Sequence, residues 1–104
     1  MIVTTTDGVP GREIHEILGI VEGNSVKTRG IGKDLRAAGR SVAGGDMPYY
    51  AELMGASRKA ATEQMLAAAR DLKADAVVCV RYHSSQIMAG AAEVLAYGTA
   101  VRLR

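Results

Sequence analysis

At 104 residues the chain has room for one domain, residues 1–104, and one hydrophobic core. Its net charge of +2 is too small to argue for nucleic acid or an anionic membrane as a partner, and its single cysteine, Cys79, excludes an internal disulfide framework and suits a reducing compartment. With no Phe, no Trp and four Tyr, the apolar 48% consists mostly of Ala, Val, Ile, Leu and Met. Such a core packs closely but buries little area per residue, and burial between subunits is one way to make up the difference.

In chain order, residues 2–5 read as a short strand closed by the turn signals Asp7–Gly8 and Pro10–Gly11. The absence of a basic region followed by an apolar one at the start predicts a cytoplasmic protein. An extended segment follows over 12–28. Strict alternation places Ile14, Leu18 and Ile20 on one face and His15, Ile17 and Val21 on the other, with Gly19 and Gly23 marking bulges or a bend. A sheet apolar on two sides needs two covers. From Lys33 to Ala43 the spacing of Ile31, Leu35, Ala38 and Val42 predicts a short helix ended by Gly44–Gly45.

The spacing of Tyr50, Leu53, Met54, Ser57, Ala61, Met65, Ala68 and Leu72 predicts a long helix over 48–73, opened by Asp46 and Pro48. Residues 76–84 form a Val-rich strand, 89–91 a turn and 93–104 a final strand. On that strand Leu95, Tyr97, Thr99, Val101 and Leu103 share one face, and Val94, Ala96, Gly98 and Ala100 the other. One long helix covers one side only, so the second cover falls to the short helix or to another subunit. No apolar stretch reaches the ~20 residues that span a bilayer, and no membrane partner is expected. The fold class is α+β: a β-β-α-β-β antiparallel sheet packed on one long helix, with a short helix before it.

These residues at these spacings resemble the uncharacterised YbjQ family, labelled a heavy-metal-binding domain. The likeness runs from Met1–Thr6 through Asp34, Leu35, Arg40, Gly44 and Gly45 to Tyr50, Glu52, Arg58, Ala61, Met65, Ala69 and Leu72. It continues with Ala74–Val78 and ends with Gly98–Val101. The resemblance implies a dodecin/YbjQ-like subunit that forms a ring, typically a pentamer, and it brings no established reaction. This chain departs from the family where many members carry acidic residues after the Ala76–Val78 strand, having Arg81 and His83 there. It also has Cys79 and Lys73 where glycines are usual.

Cys79 and His83 offer thiolate and imidazole, donors that suit a soft divalent metal such as zinc or copper. Four residues of strand separate them by about 13 Å, so they meet only across a subunit boundary or a bend. His15 and Glu13 form a second donor pair, two residues apart on one face. His83 and Ser85 share a face but lack evident oxyanion donors, and the residues 39–45 have the end glycines of a phosphate loop without its Lys-Ser/Thr. No enzyme is expected. Lys33, Arg36 and Arg40 line the short helix and, with Arg81, are the anion-binding candidates. No aromatic residues interleave them for base stacking, so nucleic acid is not the expected partner. The sequence therefore predicts a homo-oligomer that binds a small ligand or a partner at its subunit interfaces. The alternatives are a metal module with shared ligands, and an anion or nucleic-acid binder using Lys33, Arg36 and Arg40.

Overall fold

The computed structural model describes residues 1–28, 47–88 and 91–104. The elements are β1 (Ile2–Val3), β2 (Ile14–Thr28), α1 (Met47–Asp71), β3 (Ala76–Met88) and β4 (Ala91–Leu103). The short helix expected over 33–43, its Gly44–Gly45 stop and residues 89 and 90 of the expected turn lie outside the described residues.

The four strands form one sheet in the order β1-β3-β4-β2. It is mixed, which corrects the antiparallel expectation: β1 runs parallel to β3, with Ile2 opposite Ala76 and Val3 opposite Val77. The turn chemistry of residues 7–12 explains this. Arg12 N–H donates to the Val9 carbonyl at 3.0 Å, across a turn with Pro10 at its second position and Gly11 at φ 78° at its third. That turn carries the chain across the sheet instead of back along β1, so β1 and β2 become opposite edges.

The face assignments on β2 also differ from strict alternation. Register shifts fall between Ile14 and Glu16 and between Ile17 and Gly19, and each extra residue turns the strand over. Leu18 and Val21 therefore share the helix-side face, whereas Ile14, Ile17 and Ile20 pair with Leu103, Val101 and Thr99 on the far face. Gly19, at φ 135°, takes part in the second bulge. Gly23 sits in regular register and serves another purpose.

The first core lies between the sheet and α1, and consists of Val21, Ala61, Met65, Ala69, Val77, Val80, Val94, Ala96 and Ala100. The helix runs over β2 and β4 more than over β3. It comes so close that a Cβ on Gly23 would meet the Ala61 carbonyl and lie 2.7 Å from the Met65 nitrogen. Ser57, fully buried in the same helix stripe, donates to the Ala92 carbonyl at 3.4 Å, which satisfies a polar group that would otherwise cost stability. Ala69 fills the inward position beside Ala68, while Leu72 falls beyond the helix end and is exposed. The helix stops in a Schellman motif. Ala74 N–H donates to the Ala69 carbonyl and Lys73 N–H to the Arg70 carbonyl, with Lys73 at φ 60°.

A second, smaller core on the far face joins Ala76, Val78, Val101 and Leu103, with Val9, Ile14 and Cys79 packed against it. One end of the far face is thus covered by the loop that follows β1, a cover the sequence pattern did not anticipate.

Two stability outcomes follow from this backbone. Gly23→Ala forces α1 away from β2 and is expected to cost about 1–3 kcal/mol in urea unfolding, whereas Gly8→Ala, with nothing within 4 Å of its added Cβ, is expected to be near neutral. Lys73→Gly removes the left-handed penalty of an L residue at the helix stop and is expected to stabilise by roughly 1 kcal/mol, read as a rise of about 4–8 °C in melting temperature.

Candidate functional site

Register places the far face of the sheet as a set of rows, because residues opposite each other on adjacent strands present side chains to the same side. Arg81, Tyr97 and Glu22 form one row; His83, Leu95 and Asn24 the next; Ser85, Glu93 and Val26 the third. The helix-side residues Tyr82, Ala96 and Gly23 alternate with them. This platform is half-buried to exposed, and no described residue lies over it.

The platform owes its composition to Cys79. That residue sits at φ 55° inside the register shift between Val78 and Arg81. The bulge sends Val77 and Val80 to the same core, three residues apart, and turns Arg81, His83 and Ser85 to the far face. Cys79 itself packs, partly buried, against the second core, and its N–H donates to the Thr6 carbonyl at 2.9 Å.

Polar contacts organise the platform. Ser85 Oγ donates to Glu93 Oε1 at 3.3 Å, and Asn24 Nδ2 approaches Glu93 Oε2 at 3.5 Å. Arg81 Nη1 donates to the carbonyls of Thr5 at 2.9 Å and Val80 at 2.8 Å. Its guanidinium therefore ties down the segment after β1, and its charge points toward that edge.

The donors singled out from sequence are spread over the sheet. His15 and Glu13 lie beside the end of β4, where Arg104 N–H donates to the Glu13 carbonyl at 2.9 Å. Arg104 Nε donates to His15 Nδ1 at 3.0 Å. That ring nitrogen is therefore engaged with an arginine. His15 is level with residues 102–103 of β4 and His83 with Leu95, a separation of about 25 Å along the strand. Cys79 lies between them, level with Gly98 and Thr99. Among the described residues, no three His, Cys, Asp or Glu side chains converge on one point. Lys33, Arg36 and Arg40 lie outside the described residues. An open depression of about 490 Å³ flanks the loop after β1, between Thr6, Asp7, Val9 and Arg12; Arg12 Nε is already donating to the Arg104 carbonyl at 2.8 Å.

Glu93, with Ser85 and Asn24 around it, was missed as a candidate. Its alternation with Leu95 and Tyr97 was visible in the sequence. The bulge that brings His83 to the same face was not.

A family model described as "Putative heavy-metal-binding" matches residues 1–104. The chain belongs to the YbjQ family. It is 52% identical over 104 residues to UPF0145 proteins of Thermosipho africanus and of Archaeoglobus fulgidus, in each case covering 100% of this chain and 96% of the relative. A UPF0145 protein of Fervidobacterium nodosum is 53% identical with the same coverage. Among solved structures, the chain resembles a crystal structure of a protein of unknown function from the DUF74 family of Pediococcus pentosaceus. The TM-score is 0.66 at 17% identity, covering 100% of this chain and 98% of that one, which shows a shared fold. The description of the YbjQ family names a heavy metal, and the donors of a single chain do not assemble a site for one among the described residues. No helix among them is long and apolar enough to cross a membrane.

The Cys79 bulge gives a direct check on the platform. Cys79→Val replaces one small apolar side chain by another, but its branched Cβ resists a positive φ. It is expected to destabilise by about 1–3 kcal/mol in thermal unfolding.

Proposed function

We propose that this YbjQ-family chain is a homo-oligomeric, non-catalytic binding subunit. In this proposal second copies cover the far face of the sheet in a ring, a pentamer as the family resemblance implies, and a small ligand or partner binds at the subunit interfaces. The observation that carries the proposal is the exposure of apolar side chains on the far face. Ile20 is 79% exposed, Ile17 70%, Val26 52% and Tyr97 39%. Fully burying one such side chain contributes about 1.5–3 kcal/mol, and several on one sheet face favour association there.

Shape supports the same conclusion. The Cα radius of gyration is 17.1 Å, against about 13 Å for a compact chain of this length. The chain extends 54 by 23 by 17 Å, a slab that exposes more of its sheet than a compact shape would. The platform's polar groups favour binding over covalent chemistry. Ser85 Oγ donates to Glu93 rather than to His83, so the two do not form a serine–imidazole pair.

A second possibility, metal binding with donors from neighbouring subunits, draws support from the family description and from His83 and Glu93 on one face.

Light scattering at micromolar concentration is expected to give a mass of several subunits for the wild type. Ile20→Lys is expected to shift that mass toward the monomer while far-ultraviolet circular dichroism stays unchanged. A monomeric wild type overturns the proposal.

A further inference from the structure

Two strand edges are open among the described residues. β2, 15 residues long, pairs with β4 alone. The outer edge of β3 is covered only as far as Val80, whose N–H donates to the Thr4 carbonyl at 3.0 Å. Past that bond, alternation points the N–H and C=O groups of Tyr82, Ser84 and Gln86 away from β4. On β2, Asn24 N–H donates to Gln64 Oε1 at 3.0 Å rather than to β4, so the outward groups there belong to Ile20, Glu22, Asn24 and Val26. Gln64 supplies to one of them the acceptor that a neighbouring strand would supply. Unpaired edges template pairing with another chain, and proteins that avoid it place proline or lysine along them. β2 and β3 contain no proline, and their only lysine is Lys27.

The two edges differ in charge. β2 carries Glu16 and Glu22, whereas β3 carries Arg81 and His83 and no acid. Pairing like edges sets acid against acid, and pairing unlike edges sets acid against base. The backbone points the same way. The outward residues of β2 share the far face with Glu22, while those of β3 share the helix side with Tyr82. In a parallel ladder Glu22 sits beside His83 on the same face and bonds to the backbone of Tyr82 and Ser84. An antiparallel ladder turns the next copy over and puts its helix on the opposite side. β1 already pairs parallel with this edge of β3.

We propose that the outer edge of β2 around Glu22 pairs, parallel, with residues 82–86 of β3 in a second copy of the chain, setting Glu22 beside Arg81 and His83. The bulge at Gly19 bends β2 ahead of this stretch and turns residues 14–18 aside from the neighbour's β1. Contact between unlike edges is heterologous: each added copy leaves one edge of each kind open, until the assembly closes as a ring. The pairing rests on the homo-oligomeric proposal and assigns the surfaces at which its copies meet.

Proline at the outward positions tests this pairing. Glu22→Pro and Ser84→Pro each remove one outward N–H and leave the bonds to β4 in place. Light scattering of the full-length chain at micromolar concentration is expected to give three or more chains for the wild type and one chain for either variant. An equimolar mixture of the two is expected to give two chains, because each variant contributes the edge it still has. Far-ultraviolet circular dichroism is expected to match the wild type. Where a proline variant does not fold, charge reversal takes its place: Glu22→Lys and His83→Glu are each expected to lower the mass, and the double variant to restore it. The edge pairing is overturned, and the oligomer left standing, by a wild type of two chains or by a folded proline variant of full mass. A mixture that stays monomeric, or a double reversal that restores nothing, has the same consequence. A monomeric wild type overturns both proposals.

Discussion

Gly23 lies directly beneath the backbone of α1, and the rest of the fold depends on that contact. A glycine on the strand and Ala61 and Ala69 on the helix let the two backbones approach more closely than side chains of ordinary size permit. Met65 fills the space between them with a flexible side chain. A chain without Phe or Trp builds its core by proximity rather than by bulk. The close approach holds the helix over β2 and β4, and so fixes which sheet face is sealed and which is left to other cover.

The second face is divided. At one end the loop after β1 closes it with Val9 against Val78, Val101 and Leu103. Arg12 on the Arg104 carbonyl and Arg81 on the Thr5 carbonyl tie that loop down. At the other end the same strands carry Arg81, Tyr97, Glu22, His83, Leu95, Asn24, Ser85 and Glu93 with no described residue above them. The polar groups thus gather at one end of the far face, while its most exposed apolar side chains, Ile17 and Ile20, lie on β2 opposite Val101 and Thr99.

Two residues at positive φ connect these parts. Lys73 ends α1 and sends the chain into β3; Cys79 turns β3 over within the strand. Both stand at positions where the family resemblance expects glycine, and a left-handed backbone is the physical reason that glycine suits them. Retaining L residues there costs stability. At position 79 the cost accompanies a gain in geometry, because the bulge delivers His83 to the face that holds Glu93.

The sequence by itself determined the elements. Helical spacing from Leu53 to Met65 and alternation from Val94 to Leu103 are local patterns that a buried face imposes on its own segment. Local alternation also separated the two faces of β4, correctly down to Thr99 and Gly98. The tertiary structure alone decided what lay between segments. The parallel pairing of β1 with β3 depends on where the loop after β1 travels, and the regrouping of Ile17 with Ile20 depends on an added residue in β2. Bulges and crossovers are settled by contacts remote in sequence, and a single shifted residue inverts every side chain after it. For that reason His83 was readable as a candidate, while the face it shares with Glu93 was not.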